Sequence, residues 1–335
     1  MYYKFIFSSA LILGTLISIS SYSWFSMWMG LEVNLLSIIP MMASTKNMLS
    51  SEATLKYFVT QTMASTILLF TVIMMSIQLM YNLNMNSYLT LILNTTLFTK
   101  MGAAPFHFWF PEVMEGLSWI NSLIMLTWQK VAPMILSMYF TLNLMYTSII
   151  IIASMMISGI MGLNQTSLRK IMSYSSINHI GWMLSSILIT ETIWLYYFTI
   201  YLLISINITM ILKTLNIFYL NQLFMSMNKS PLIKLMFTLN FMSLGGLPPF
   251  IGFLPKWLLI QSLVSKTLIS ISITMTLMTL MTLYFYMRLT FSTILLEMNE
   301  ILFYSHPMPN NTFVWILNLT TIIGLAFSTL IFNFM

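Results

Sequence analysis

The sequence predicts an all-α polytopic membrane protein with about eleven transmembrane helices, two of them broken in the middle. Three observations lead to this fold class. The 335 residues are 59% hydrophobic and only 6% charged, with a mean hydropathy of +0.89, whereas soluble domains are about 25% charged. The charges leave long uncharged blocks between them, and two stretches rich in glycine and proline interrupt apolar segments. A chain this apolar cannot hide its surface from water, so we expect lipid to be its solvent.

The uncharged blocks set the order of the spans, because each crossing needs about 20 apolar residues. The first apolar run continues into another apolar segment, so we expect it to remain as a span and not to be cleaved as a signal peptide. We expect a single membrane domain over residues 1–335. Four blocks are each long enough for two spans: residues 5–45, 57–99 (whose second span is 88–110), 117–164 and 171–212. Three further spans are expected at residues 234–258, 267–289 and 313–333.

The positively charged residues fall on one side of these spans. Such a bias marks the positive-inside compartment, so the N-terminus is predicted to face that compartment and the C-terminus the opposite one. The net charge of +6 then reflects topology, and no basic stripe with exposed aromatic residues indicates nucleic-acid binding. On the N-terminal side lie Lys4, Lys46, Lys56, Arg169, Lys170, Lys213, Lys229, Lys234 and Arg288, and on the other side Lys266.

Two similar stretches break predicted spans. The stretches "GAAPFHFWFPE" and "GLPPFIGFLPK" match at two prolines, a phenylalanine and the first glycine, with the same spacing throughout. Proline removes a helix hydrogen bond, and paired interrupted spans in two halves of a chain point to a transporter's ion site. The alternative is a pair of ordinary proline kinks. The residues expected to break the helices are Gly102, Pro105, Gly245, Gly246, Pro248 and Pro249.

Four ionisable residues lie within predicted spans: Glu32, Lys100, Lys130 and Lys256. A charge at the centre of a membrane helix costs about 2.5–3.5 kcal/mol, and such residues are functional candidates for that reason. We expect them to pair or to lie in water, and one Glu with three Lys could form a proton relay. The alternative is that the side chains reach the membrane interface, which is most plausible for Lys256.

At these positions the sequence resembles the antiporter-like membrane subunits of respiratory complex I, the NADH:ubiquinone oxidoreductase. The resemblance extends over roughly residues 20–290. It implies two inverted repeats, roughly 1–145 and 146–290, each with a broken helix, and a final span at roughly 313–333. Relative to bacterial members, the chain lacks the first helices. The motifs that carry the resemblance are "MGLEVNLLSIIP", "KMGAAPFHFWFPEV", "LTWQKVAP", "GLNQTSLRKIMSYSSINHIGWM" and "GGLPPFIGFLPKW".

The resemblance also implies roles for single residues. Glu32 matches a glutamate that pairs with a lysine of a neighbouring helix, and Lys100 matches that lysine. Lys130 matches the central relay lysine, and Lys256 the terminal ionisable residue on the second broken helix. His179 matches a histidine of the polar axis, although a packing histidine bonded to a neighbour is an equal alternative.

By this resemblance the chain is a non-redox subunit of an H⁺-translocating NADH:ubiquinone reductase. The sequence has no Cys, which excludes cysteine-held iron–sulfur clusters and thiolate zinc sites. It also has no G-x-G-x-x-G fingerprint for a nucleotide. The NADH, FMN, iron–sulfur clusters and ubiquinone are expected in other subunits. The expected partners are antiporter-like and small core subunits of the membrane arm, and membrane lipids. The expected location is the mitochondrial inner membrane, with the N-terminus in the matrix and the C-terminus in the intermembrane space. A stand-alone cation/proton antiporter is the alternative.

Overall fold

The computed structural model describes residues 2–44, 47–81, 86–140, 142–227, 231–295, 318–320 and 324. The all-α prediction is confirmed for these residues, which contain no β-strand. They form α1 (Tyr2–Ser20), α2 (Trp24–Met42), α3 (Met48–Tyr81), α4 (Asn86–Met101), α5 (Trp109–Gly116), α6 (Trp119–Leu126), α7 (Trp128–Tyr139), α8 (Leu144–Gly162), α9 (Leu168–Ile187), α10 (Glu191–Thr214), α11 (Leu220–Met227), α12 (Pro231–Gly245), α13 (Phe253–Ser265) and α14 (Ile269–Leu295).

Several of these helices can cross a membrane. In the part of the chain that the structure describes, six helices are long and apolar enough by length and composition: α1, α2, α3, α8, α10 and α14. The predicted last span, 313–333, lies almost wholly outside the described residues, as do Lys46, Lys229 and Met335 of the predicted topology. The number of spans and the orientation of the termini therefore stay predictions.

The chain packs as two compact units, Met1–Ser154 and Met155–Met335. In the first unit, α1 and α2 cross at two glycines. A Cβ added to Gly30 would lie 2.5 Å from the backbone nitrogen of Ser18, and one added to Gly14 would lie 2.9 Å from that of Asn34. Small residues at such a crossing let membrane helices pack closely, which drives their association in lipid. The crossing positions α2, which carries Glu32.

The remaining helices of the first unit gather around α3. This helix packs against α2, α4 and α5, and α4 also packs against α7. A Cβ added to Gly116 in α5 would lie 2.3 Å from the carbonyl oxygen of Leu49 in α3, so α5 lies directly on the start of α3. These contacts hold the helices of Lys100 and Lys130 against each other.

The second unit contains a polar helix that is almost fully covered. In α9, 17 of the 20 residues are buried, including the run of serines around Asn178. The hydroxyls of Ser175 and Ser176 each donate to a backbone carbonyl three residues earlier, which satisfies them within the helix. Polar side chains are costly in lipid, so α9 is stable in a membrane because α10, α13 and α14 pack around it.

Candidate functional site

The first helix break ends α4 with a glycine in the left-handed conformation. Gly102 has a φ of 75°. Its N–H donates to the carbonyl of Thr99 at 3.2 Å, and the N–H of Ala103 donates to the carbonyl of Phe98 at 3.0 Å. This pair of bonds is the Schellman motif, which closes a helix C-terminus. Pro105 follows in the turn before α5, where its missing N–H costs no helix hydrogen bond.

The second break repeats this geometry at the end of α12. Gly246 has a φ of 79°. Its N–H donates to Ser243 at 3.0 Å, and the N–H of Leu247 donates to Met242 at 3.4 Å. Gly245 is the last residue of α12, and Pro248 and Pro249 lie in the turn before α13. Both breaks are therefore helix ends closed in the same way, which a proline kink within a continuous helix would not show.

Lys256 caps the second break. Its Nζ donates to the carbonyl of Gly245 at 2.8 Å and to that of Leu244 at 3.2 Å. The last carbonyls of a helix lack partners within the helix and carry its negative end, so they attract a cation. Gly246 makes room for this contact, because a Cβ there would lie 2.8 Å from Cδ and 2.9 Å from Nζ of the lysine.

The first break is capped differently. The indole N–H of Trp109 donates to the carbonyl of Thr99 at 3.0 Å, which also accepts from the N–H of Gly102, so the side-chain donor at this helix end is a neutral group. Glu112, which corresponds to Lys256 in the sequence repeat, lies 2.9 Å from Lys56, and Lys56 also contacts Glu52 at 2.8 Å. These three side chains are exposed, so the acidic residue of the first break belongs to a surface cluster.

The three lysines predicted as relay residues are all buried. The exposed fraction is 2% for Lys130 and 7% for Lys100 and Lys256. Lys100 lies in the last turn of α4. None of these lysines follows the alternative in which the side chain reaches a surface.

Lys130 follows a third helix discontinuity, which the sequence analysis missed. Thr127, with φ −115° and ψ −73°, separates α6 from α7, whereas residues 117–140 contain no glycine and were predicted to hold a continuous span across this point. Pro133 lies inside α7, so it does not mark the position of this break. Nζ of Lys130 lies 5.5 Å from the ring centroid of Phe110 in α5, within the range of a cation–π interaction.

Glu32 and Lys100 do not form the direct ion pair that the resemblance implies. Glu32 is half-buried, and within the described residues its buried Oε2 has no hydrogen-bond partner. Both α2 and α4 pack against α3. Glu32 still lies close enough to act on Lys100 electrostatically.

A buried network of neutral side chains connects α2, which carries Glu32, with α3 and with α7, which carries Lys130. The hydroxyl of Tyr57 in α3 donates to Oε1 of Gln129 at 3.3 Å, and Nε2 of Gln129 donates to Oδ1 of Asn34 in α2 at 2.9 Å. Gln129 directly precedes Lys130, and Asn34 lies two residues after Glu32. Polar residues beside charged ones are the only feature of the sequence that indicates this network.

In the second unit His179 is buried and bonded to a tyrosine. Its Nδ1 lies 2.8 Å from the hydroxyl oxygen of Tyr197 in α10. One turn later on α9, the ring of Trp182 lies 5.8 Å from Nζ of Lys256. The structure thus brings His179 and Lys256 to the same group of helices in this unit, and it places Glu32, Lys100 and Lys130 in the first unit.

Comparison with known proteins gives consistent matches along the chain. A sequence-family model described as "NADH:quinone oxidoreductase/Mrp antiporter, TM" matches residues 21–282. A protein of Anopheles gambiae named NADH-ubiquinone oxidoreductase chain 2 is 52% identical over 297 residues, covering 87% of this chain and 86% of that protein. A protein of Aedes aegypti with the same name is 48% identical over 332 residues, covering 98% of this chain and 97% of that protein.

Solved structures share the fold at low sequence identity. A chain of respiratory complex I from Thermus thermophilus superimposes with a TM-score of 0.86 at 22% identity, covering 97% of this chain and 78% of that one. A chain of the Mrp complex from Dietzia sp. gives a TM-score of 0.71 at 17% identity, covering 90% of this chain and 61% of that one.

Proposed function

Because the chain belongs to the NADH:quinone oxidoreductase/Mrp antiporter transmembrane family, we propose that it is the proton-translocating, antiporter-like membrane subunit of an NADH:ubiquinone oxidoreductase. The relatives that carry the name NADH-ubiquinone oxidoreductase chain 2 align with it along most of both chains. The observation that carries the proposal is the burial of Lys100, Lys130 and Lys256, each within a few residues of a helix discontinuity.

The energetic cost of these lysines supports a functional role. A buried ammonium group costs about 2.5–3.5 kcal/mol at the centre of a membrane helix, so three cost about 8–10 kcal/mol together. That sum is comparable with the stability of a whole domain, about 5–15 kcal/mol. A subunit with a purely structural role has no need of such groups. A lysine that can exchange between its charged and neutral forms is a proton carrier, and burial makes both forms accessible.

The helix breaks supply polar partners for these lysines at membrane depth. Backbone that leaves the helix within a membrane persists only where it is buried in protein or lines a wet cavity. The carbonyls that hold Lys256 are such partners. We propose Glu32, Lys100 and Lys130 as the relay residues of the first unit and Lys256, with His179, as those of the second.

The proposal assigns the remaining chemistry and the surroundings to other molecules. NADH, FMN, the iron–sulfur clusters and ubiquinone would bind to other subunits, and within the described residues no three His, Cys, Asp or Glu side chains come together. The partners would be other membrane-arm subunits and lipids. From the relatives named NADH-ubiquinone oxidoreductase chain 2 we place the chain in the mitochondrial inner membrane. The distribution of Lys and Arg places its N-terminus in the matrix.

The experiment that tests this function replaces Lys130 by methionine, which keeps the length of the side chain without its charge. In Lys130→Met we expect the complex to assemble and both NADH:quinone turnover and proton pumping per assembled complex to fall at least tenfold, in the range that loss of a proton-transfer group typically causes. Lys266→Met is the matched control, because that lysine is exposed at the end of α13.

Two outcomes would contradict the proposal. Wild-type turnover and pumping in assembled Lys130→Met complex would remove Lys130 from the relay. If the chain purified away from any NADH-oxidising assembly and exchanged cations for protons alone in vesicles, the stand-alone antiporter would be the correct function.

A further inference from the structure

We propose that Tyr197 is the proton-transfer partner of His179 and that the two side chains act as one relay step in the second unit. The inference rests on the proton-translocating function proposed above. Its basis is a contact of 2.8 Å between the Tyr197 hydroxyl oxygen and Nδ1 of His179. Both side chains are buried, at the interface of α9 and α10.

The local sequence explains why the imidazole meets a hydroxyl here. Tyr197 and Tyr201 are four residues apart on α10 and so lie on the same face of that helix. Both face His179, with ring centroids 5.9 Å and 5.0 Å from the imidazole. On α9, Ser176 precedes His179 by three residues and so lies on the same face. The histidine is thus enclosed by hydroxyl-bearing side chains instead of purely apolar ones.

The contact suits both protonation states of the imidazole. A phenol can donate to Nδ1 when that nitrogen carries no proton, and its oxygen can accept from Nδ1–H when it does. In the proposed step an incoming proton binds to the tyrosine oxygen while the original hydroxyl proton moves to Nδ1. One O–H bond forms, one O–H bond breaks and one N–H bond forms. The phenol stays neutral throughout, and the imidazole gains one proton that it can pass on from Nε2.

The position of the pair fits such a role in the second unit. Trp182 lies one turn after His179 on α9, and its ring faces the ammonium of Lys256 at 5.8 Å. The helices of all these side chains pack together, since α9 contacts both α10 and α13. The alternative is a packing role, in which the hydroxyl only fixes the orientation of the imidazole.

The experiment compares Tyr197→Phe and Tyr196→Phe in the assembled complex within sealed membranes. Tyr197→Phe removes one oxygen and keeps the ring, so we expect normal amounts of complex and a fall in quinone-reductase turnover and pumping of about tenfold or more, as for loss of a proton-transfer group. Tyr196 is the preceding residue on α10 and is exposed, so the same substitution there should change neither rate. Oxidation of NADH by an artificial acceptor that bypasses quinone should be unchanged in both variants.

A double-mutant cycle tests whether Tyr197 and His179 act as one unit. His179→Gln places an amide at this position that can accept a hydrogen bond but cannot carry a proton at neutral pH, so we expect assembly with reduced turnover. Groups that act as a unit lose little more when both are removed. The double variant with Tyr197→Phe should therefore be no slower than the slower single variant. Losses that multiply would show independent roles and overturn the inference.

The remaining outcomes also decide the matter. Normal turnover in Tyr197→Phe overturns the inference, and so does a loss explained entirely by fewer assembled complexes. If Tyr197→Phe does not accumulate, His179→Gln still decides, because normal turnover and pumping in that variant exclude a relay through this pair. If Tyr197→Phe has normal turnover but Lys130→Met pumps poorly, the Tyr197–His179 inference fails and the proposed function stands. Normal pumping in Lys130→Met contradicts the proposed function itself.

Discussion

A methyl group at position 246 should disconnect Lys256 from the helix end that it caps. In Gly246→Ala the new Cβ would lie within 3 Å of both Cδ and Nζ of the lysine, so the flexible side chain must move and its hydrogen bonds to Leu244 and Gly245 are lost or weakened. Hydrogen bonds from a charged group contribute about 1.5–3 kcal/mol each. Alanine at a φ of 79° adds strain of about 1–2 kcal/mol.

Gly102→Ala is a control with the same backbone strain. Gly102 has nearly the same φ, 75°, but the atoms nearest to its added Cβ belong to Phe110, at 3.2 Å, and to Trp109, at 3.4 Å. The free-energy cost of Gly246→Ala should therefore exceed that of Gly102→Ala by the lost capping bonds of Lys256, about 2 kcal/mol or more. Such a difference lowers the population of the capped lysine about thirtyfold, since about 1.4 kcal/mol corresponds to a factor of ten.

The assay measures assembled complex on native gels together with quinone-reductase turnover and pumping per assembled complex. Both variants should assemble somewhat less, and Gly246→Ala should lose turnover about tenfold or more while Gly102→Ala keeps most of it. In a Lys256→Met background the Gly246→Ala change should add little, because the capping ammonium is already absent. Equal turnover in Gly246→Ala and Gly102→Ala would refute the link between the glycine and the lysine.

Two further predictions concern packing and the neutral network. Gly30→Ala should lower the amount of assembled complex, because the methyl group overlaps the backbone of α1 and overpacking costs about 1–3 kcal/mol. The control Gly245→Ala, whose added Cβ makes ordinary contacts of 3.6 Å or more, should not lower it. Equal yields of the two variants on native gels would contradict the close crossing of α1 and α2. Gln129→Leu should lower both resistance to thermal inactivation and turnover, because Tyr57 and Asn34 lose their hydrogen bonds in a buried site at about 1–3 kcal/mol. Unchanged inactivation temperature and turnover would show that the network does not position Lys130.

The parts of the structure that follow from local chemistry could be predicted from the sequence. The scarcity of charge predicts helices in lipid. Gly102 and Gly246 predict helix ends because glycine tolerates the positive φ that closes a helix, and both residues adopt it. The burial of Lys130 follows from its distance from any polar segment. The pairing of Glu32 with Lys100, which the resemblance implies, stays a prediction, since a charge at a given depth says nothing about which helices are neighbours.

Side chains that meet across helices could not be predicted in this way. The bonds of Gln129 to Tyr57 and Asn34 join residues far apart in the sequence, and their partners depend on the packing of α2, α3 and α7. The discontinuity at Thr127 has no glycine to mark it, and it arises where two short helices meet within a predicted span. Both features depend on tertiary contacts, which override local propensity.

The two breaks together show how the same backbone can serve different chemistry. Each ends its helix with a glycine at positive φ and receives a side-chain hydrogen bond at one or more of its last carbonyl groups. In one break the donor is the neutral indole of Trp109, and in the other it is the ammonium of Lys256. An indole keeps its proton at any physiological pH, whereas an amine can lose one. The second break can therefore change its capping bonds when a proton leaves, while the first keeps the end of α4 fixed. The helix break provides the polar site, and the residue that caps it decides whether the site can respond to a proton.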